Sequence, residues 1–211
     1  LVGRHNISNC LAAAAVAERF GLSLEQIARG IAGLRSIPGR LERIDGPQPF
    51  EVFVDYAHTE DALRNAVRFL NRLTRGRVIC VFGAGGDRDR SKRPLLGRAA
   101  AEADLAVVTS DNPRSEHPER IIRDILPGLT SAGRRPYIEP DRAQAIRWAL
   151  DRAEPGDSVL IAGKGHETEQ IIGNERLPFD DREVVRRSLV PPPHFLRIHS
   201  RVETAETVLT G

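Results

Sequence analysis

The chain has 211 residues, with 31 basic and 29 acidic side chains, and is long enough for one full domain and part of another. The near-balance of charge gives no reason to expect nucleic acid as a partner, and no window approaches the roughly 20 apolar residues of a membrane span. We therefore expect a globular protein of the cytoplasm. Cys10 and Cys80 both lie in apolar runs, which favours buried, reduced thiols over a disulfide or a metal site.

Two helices are predicted at the start of the chain. The first covers residues 6–20, with Asn6 or Ser8 as its cap, and the second covers 24–34 and opens with a capping-box pattern. Because no strand separates them, we expect residues 1–37 to be the end of a preceding domain. The chain contains no methionine, even at its first position, which predicts a piece of a longer protein.

From residue 38 onward, apolar runs of strand length alternate with helical patterns. The predicted strands cover 51–54, 77–82, 105–109, 137–138 and 158–162. The predicted helices cover 60–73, 94–103, 118–126, 142–153 and 182–189. Such alternation predicts an α/β domain over 38–190 with a doubly wound, mostly parallel, Rossmann-like sheet. Residues 191–211 open with three prolines and show no apolar period, so we expect a loose tail.

Polar loops follow four of the predicted strands. These loops cover residues 55–58, 83–92, 111–114 and 163–167. In an open α/β sheet, ligands bind outside the carboxyl ends of the strands. We therefore expect the chemistry of this protein to collect at that one edge.

The loop after the second strand is rich in glycine and in charge. Gly83, Gly85 and Gly86 would let backbone N–H groups approach an anion, as in a phosphate cradle. The loop lacks the third glycine of the dinucleotide fingerprint, and Lys92 is not preceded by glycine as a Walker loop requires, so a plain turn remains an alternative. The dense charge run over 87–93 favours a site.

The other loops offer cations and acceptors. Arg114 stands beside a rigid proline and could present its planar fork to a carboxylate, although its neighbours are also ordinary turn residues. In the loop 163–167, two glycines alternate with lysine, histidine and glutamate, which favours a site for an ammonium group read by Glu167. No second ligand accompanies His58 at metal spacing, so hydrogen bonding is favoured over metal binding.

In this order, six segments resemble the Mur ligase family. They cover 5–9, 38–42, 54–59, 82–89, 110–114 and 163–167, and include Asp-Tyr-Ala-His, Asp-Asn-Pro-Arg and Gly-Lys-Gly-His-Glu. The resemblance extends over about residues 1–189 and is greatest to the members that add the third amino acid of the peptidoglycan precursor. It implies an ATP-dependent amide ligase acting on UDP-N-acetylmuramoyl-L-alanyl-D-glutamate. Such an enzyme activates the dipeptide carboxylate as an acyl phosphate, which the incoming amine attacks.

The resemblance also implies two groups of site residues. Those expected to contact ATP are Asn6, Asn9, Arg40, Asp55, Tyr56 and His58, with Asp55 suited to the ribose hydroxyls. Those expected to hold the amino acid are Arg88, Asp111, Asn112, Arg114, Gly163 and Glu167. An amino acid with a carboxylate at each end needs two separated cations and an acceptor for its distal ammonium, and Arg88, Arg114 and Glu167 could supply them. Members with Asp-Asn-Pro-Arg look like meso-diaminopimelate enzymes, whereas lysine-adding relatives lack the arginine.

The family's phosphate loop, its Mg²⁺-binding residues and its modified lysine belong to a central domain, and no Gly-Lys-Thr or Gly-Lys-Ser occurs in this chain. We therefore expect no catalytic or metal-binding residue here, with Mg²⁺ held mainly by that central domain. The expected partners are meso-diaminopimelate, the UDP-muramoyl dipeptide and the upstream domains of the same protein, without nucleic acid or membrane. This piece should not catalyse ligation alone.

Two other classes remain open. One is a related ligase with another acceptor, either L-lysine or the acceptor of a cyanophycin-synthetase-like enzyme, although the loop 111–114 counts against it. Another is a non-catalytic module that binds a nucleotide or an amino acid. A glycine-rich loop ending in Lys-Thr or Lys-Ser upstream would favour the ligase over the module. A dinucleotide oxidoreductase fits the fold but lacks the glycine fingerprint.

Overall fold

The structure is a computed structural model that describes residues 4–34 and 36–190, so the predicted tail lies outside the described residues. The helices are α1 (Arg4–Arg19), α2 (Leu24–Gly33), α3 (Glu60–Leu73), α4 (Arg93–Ala100), α5 (Pro118–Thr130), α6 (Arg142–Arg152) and α7 (Asp181–Leu189). The strands are β1 (Glu42–Arg43), β2 (Glu51–Asp55), β3 (Val78–Phe82), β4 (Leu105–Val108), β5 (Tyr137–Ile138), β6 (Ser158–Ala162), β7 (Glu169–Ile172) and β8 (Glu175–Pro178). A short 3₁₀ turn, Arg90–Lys92, precedes α4.

Six strands form one sheet in the order β1-β2-β6-β3-β4-β5, with β1 antiparallel to β2 and the other pairs parallel. Every residue of β3 and of β6 is buried, because helices cover both faces of the sheet. The prediction of a doubly wound, mostly parallel sheet is confirmed. Strands β7 and β8 form a separate antiparallel hairpin.

The hydrophobic core lies on both faces of the sheet. Helices α3, α4 and α5 bury apolar side chains such as Leu63 and Ile125 on one face, and α6 and α7 bury Ile146 and Val185 on the other. The sequence of α3 shows why it forms: Thr59 accepts a hydrogen bond from the N–H of Ala62, and the buried residues recur at helical spacing. These two layers hold the strand ends in fixed register.

The predicted strands and helices are all present, but some boundaries differ. Helix α1 begins at Arg4, so the prediction that Asn6 or Ser8 caps it is wrong; instead, Asn6 is 1% exposed, and its Nδ2 lies 3.5 Å from the carbonyl oxygen of Arg40. Helix α5 continues past Pro127, because the burial of Leu129 in the core outweighs the lost hydrogen bond. The capping box that opens α2 is confirmed.

The two N-terminal helices expose much of their apolar surface. Leu11 and Phe20 are 67% and 83% exposed, and in α2 only Ile27 is buried. The assignment of residues 1–37 to a preceding domain stays a prediction. Within the described residues, no helix is both long enough and apolar enough to cross a membrane.

Candidate functional site

A cavity of about 550 Å³ opens at the edge of the sheet where β2, β3 and β6 end. Eight of the site residues predicted from the sequence line it: Tyr56, His58, Arg88, Asp111, Asn112, Arg114, Gly163 and Glu167. The other four, Asn6, Asn9, Arg40 and Asp55, lie outside the lining. The parallel sheet therefore brings together loops that are far apart in the sequence.

Two glycines let the loops close around Asp111. A Cβ on Gly83 would lie 2.3 Å from the carbonyl oxygen of Thr109, and a Cβ on Gly163 would lie 2.6 Å from Asp111 Oδ2. Gly163 also has φ +116°, which disfavours other residues. No side chain fits at either position without moving the wall of the cavity.

The β7–β8 hairpin, which the sequence did not reveal, holds the loop that carries Arg114. The N–H of Arg114 donates to the Ile171 carbonyl at 3.0 Å, and the Arg114 carbonyl accepts from the N–H of Gly173 at 2.7 Å. Gln170 donates from Nε2 to the carbonyl of Asp111 at 2.7 Å. Arg114 has φ +53°, an uncommon backbone conformation that persists where the surrounding structure enforces it.

Arg88 and Arg114 line the cavity without an acidic partner among the described residues. Arg114 donates from Nη1 to the carbonyl of Gly86 at 2.7 Å, and Arg88 is exposed. Two guanidinium groups left without a carboxylate at the mouth of a cavity favour an anionic ligand. A molecule with two carboxylates would satisfy both.

Arg93 also lines the cavity, but its role is internal. It is 2% exposed and pairs with Glu116 at 2.6 Å and with Asp124 at 2.8 Å. Glu116 also accepts a hydrogen bond from the N–H of Asp87 at 2.7 Å. The hydrogen bond from Arg93 lowers the pKa of Glu116 to about 2. This network fixes the glycine-rich loop that presents Arg88.

Glu167 turns one carboxylate oxygen toward internal partners and leaves the other for a ligand. Its Oε2 accepts from Lys164 Nζ and from Asn112 Nδ2, both at 2.9 Å. Among the described residues, none donates a hydrogen bond to its Oε1. Burial raises the pKa of Glu167, but the hydrogen bonds from Lys164 and Asn112 outweigh it, so the pKa lies below its usual value.

The ring of Tyr56 lies at the centre of a second group of side chains beside the cavity. The ring of His58 is 4.5 Å from it, the ring of His166 is 5.2 Å from it, and the guanidinium of Arg40 is 5.1 Å from it. Arg40, His58 and His166 are exposed. Aromatic and cationic groups in this arrangement suit a base or a phosphate.

Asp55, which is not among the residues that line the cavity, holds a turn of the backbone. It is 6% exposed, and its carboxylate accepts from the N–H of Leu41 at 2.6 Å and from the N–H of Ala57 at 2.8 Å. Leu41 has φ +45°, so Asp55 stabilises an unfavourable turn next to Arg40.

The described residues contain no group of three or more His, Cys, Asp or Glu side chains that could hold a metal ion.

The family model described as "Mur ligase, glutamate ligase domain" matches residues 39–165. The chain belongs to the Mur ligase family. It is 54% identical over 190 residues to UDP-N-acetylmuramoyl-L-alanyl-D-glutamate–2,6-diaminopimelate ligase of Solibacter usitatus, and the match covers 90% of this chain and 38% of that protein. It is 50% identical to the ligase of the same name from Geobacillus kaustophilus, covering 90% of this chain and 39% of that protein. The chain thus spans about two fifths of the length of these curated relatives.

Solved structures agree with this membership. A structure of UDP-N-acetylmuramoyl-L-alanyl-D-glutamate–2,6-diaminopimelate ligase is 42% identical, with a TM-score of 0.70, and covers 90% of this chain and 39% of that chain. The UDP-N-acetylmuramate-alanine ligase MurC of Thermotoga maritima shares the fold, with a TM-score of 0.61 at 21% identity, over 89% of this chain and 37% of that chain.

Sequence reasoning missed several residues that build the site of this Mur ligase chain. Lys164 lies within the Gly-Lys-Gly-His-Glu segment, so its signal was present, but only the structure shows it buried against Glu167. Gln170 belongs to a hairpin with no clear strand pattern in the sequence. His166 stands beside Tyr56 only because the loops after β2 and β6 meet.

Proposed function

We propose that this chain is the C-terminal part of an ATP-dependent amide ligase that adds meso-diaminopimelate to UDP-N-acetylmuramoyl-L-alanyl-D-glutamate in peptidoglycan synthesis. The observation that carries the proposal is the charge pattern of the cavity: within residues 4–34 and 36–190, Arg88 and Arg114 have no acidic partner and Glu167 Oε1 has no donor. The names of the relatives that are 54% and 50% identical support it.

The proposed acceptor complements this pattern. Diaminopimelate carries a carboxylate and an ammonium at each end, so Arg114 would bind the distal carboxylate, and Glu167 would accept from the distal ammonium. Arg88 would neutralise the carboxylate at the reacting end. Asp111, Asn112 and Gly163 form the wall between these groups. L-Lysine has no distal carboxylate and would leave Arg114 unpaired.

The nucleotide is proposed to lie on the side of the cavity where Tyr56 stands. Arg40 and His58 flank that ring and would contact ATP, together with Asn6 and Asn9 of α1. In this proposal, Asp55 acts through the backbone turn that it holds beside Arg40. Tyr56 offers a planar ring and Arg40 a cation, and this combination suits a nucleotide better than an apolar ligand.

The proposed reaction follows from these placements. ATP would phosphorylate the D-glutamate carboxylate of the dipeptide to an acyl phosphate. The free amine of diaminopimelate would attack the acyl carbon, the C–O bond to phosphate would break, and inorganic phosphate would leave as the amide forms. Mg²⁺ and the phosphate loop are proposed to reside in upstream domains of the same protein. Since ATP and the UDP-linked precursor are made inside the cell, the proposed location is the cytoplasm.

The test is ligation by the whole reading frame that encodes this chain. We expect release of ADP and phosphate that depends on the UDP-muramoyl dipeptide and on meso-diaminopimelate, with little turnover of L-lysine. An Arg114→Ala variant should lose the preference for diaminopimelate, whereas Arg120→Ala, an exposed arginine outside the cavity, should keep it. Release of ADP with lysine as readily as with diaminopimelate would contradict the proposed acceptor, and no acceptor-dependent release would contradict the ligase.

A further inference from the structure

Lys164 is a lysine with no exposed surface, and it directly follows Gly163, which lines the cavity. It lies in the loop that follows β6, and its Nζ donates to Asn112 Oδ1 and to Glu167 Oε2, both at 2.9 Å. An ammonium group removed from water is costly unless it is paired and hydrogen-bonded. A neutral side chain would fill this space at lower cost, which points to a use for the charge.

We propose that Lys164 is a positioning residue of the acceptor site, which fixes Glu167 and Asn112 so that Glu167 Oε1 is presented, ionised, to the ammonium group of the amino acid. The inference rests on the proposed function for the identity of that ligand. The arrangement of Lys164, Glu167 and Asn112 does not depend on the proposed function, because the structure gives it.

The hydrogen-bond pattern shows how the positioning would work. Glu167 Oε2 accepts hydrogen bonds from Lys164 Nζ and from Asn112 Nδ2. The carboxylate therefore cannot rotate without breaking these hydrogen bonds. Asn112 Oδ1 receives Lys164 Nζ and also the N–H of Ile171 at 3.0 Å. Lys164 therefore ties the loop after β6, the loop after β4 and the β7–β8 hairpin to one point. That point lies next to the one Glu167 oxygen without a donor among the described residues.

The charge of Lys164 matters because some of the other charged groups around Glu167 repel its carboxylate and others attract it. Asp111 lines the same cavity and repels a second carboxylate, while Arg142 and His166 attract it. Arg88 and Arg114 also line the cavity. Burial raises the pKa of Glu167, and Lys164 is the main group that lowers it. Without Lys164, burial should raise this pKa above its usual value, so that the carboxylate takes up a proton at a higher pH than in the wild type.

The direct test is a carbon-13 NMR titration of the glutamate carboxyl groups in this chain, without any ligand. The Glu167 signal is assigned by its loss in Glu167→Gln. In the wild-type chain, Glu167 should titrate below about 4.3, the usual glutamate value. In Lys164→Met, which keeps the length of the side chain but removes the charge, it should titrate above that value. Lys164→Gln, which keeps a donor, offers a second variant, and Glu169→Gln removes an exposed carboxylate of β7 and should leave Glu167 unchanged.

The functional test is the affinity for meso-diaminopimelate at pH 8 and at pH 6 in the whole ligase. Lys164→Met should weaken binding at least about tenfold, by a factor that grows as the pH falls from 8 to 6. A purely structural role would weaken binding by the same factor at both values of pH. An unchanged Glu167 titration in the lysine variants, or a wild-type Glu167 that titrates at or above about 4.3, would overturn the proposal. Because the titration needs no ligand, its result does not depend on whether the proposed function is correct.

Discussion

Arg142 and Asp181 form a bidentate ion pair, with Nε–Oδ1 and Nη2–Oδ2 distances of 2.8 Å and neither side chain exposed. Arg142 also donates to the carbonyl of Ser110 at 3.2 Å and to the carbonyl of Ala162 at 3.0 Å. Ala162 ends β6, and Ser110 directly precedes the loop after β4 that carries Arg114. The ion pair therefore anchors the loops that follow β4 and β6, both of which line the cavity.

Replacing Arg142 by alanine should destabilise the fold strongly. The change leaves the Asp181 carboxylate buried without its partner, for which a loss of about 3–5 kcal/mol in the free energy of unfolding is expected. Urea unfolding measures it. Arg147→Ala, at an exposed position of the same helix, is the control and should stay within about 0.5 kcal/mol of the wild type. A loss below about 1 kcal/mol for Arg142→Ala would be incompatible with an essential pair.

Gly165 lets two loops pack backbone against backbone. It has φ +53°, and a Cβ there would lie 2.7 to 2.8 Å from the atoms of Tyr56. Gly165→Ala should therefore destabilise the protein more than Gly133→Ala, a site with φ +72° but with nothing within 4 Å of the added Cβ. The control measures the backbone cost alone, about 1 kcal/mol, and the difference in unfolding free energy measures the clash. Equal losses would show that the loops can separate at no cost.

Acid should weaken the network around Arg93. The pKa of Glu116 is lowered to about 2 in the folded chain, so its contribution is fully present above the unfolded value of about 4.3 and is lost as the pH falls from there toward about 2. The stability difference between the wild type and Glu116→Gln should therefore shrink as the pH falls from 5 to 3. Unfolding in urea at several pH values measures it, and a constant difference would contradict the lowered pKa.

The two cysteines should differ in reactivity. Burial raises the pKa of the Cys80 thiol to about 12, whereas Cys10 is half-buried. A reagent that reacts with thiolates should label Cys10 at pH 8 in the native chain, and should label Cys80 only after denaturant is added. In Cys10→Ala, native labelling should disappear. Rapid labelling of that variant would show that β3 opens readily.

Most of the sheet could be predicted because its strands are buried runs between amphipathic helices. The five residues of β6 are all buried and apolar or small, which is the pattern that a central parallel strand requires. The hairpin could not be predicted in the same way. In β8 every residue is exposed, so no core selects an alternating pattern, and the strand is specified by its pairing with β7.

The site could be predicted as a set of loops but not as a set of contacts. The edge rule for α/β sheets placed Arg114 and Glu167 near one another, and the cavity contains both. It could not show that Asn112 and Lys164 are occupied by internal hydrogen bonds, nor that Asp55 accepts from the backbone of Leu41. Such pairings depend on side-chain positions across loops that lie 52 and 55 residues apart in the sequence, or on a turn with a positive φ.

We propose that this cavity distinguishes amino acids by a distal carboxylate that binds to Arg114. The most direct measurement is calorimetric titration of meso-diaminopimelate and of L-lysine into this chain and into Arg114→Ala. We expect diaminopimelate to bind more tightly than lysine, and the variant to lose at least about tenfold in affinity for diaminopimelate with little change for lysine. Equal affinities for the two amino acids, or undiminished binding of diaminopimelate by Arg114→Ala, would contradict it.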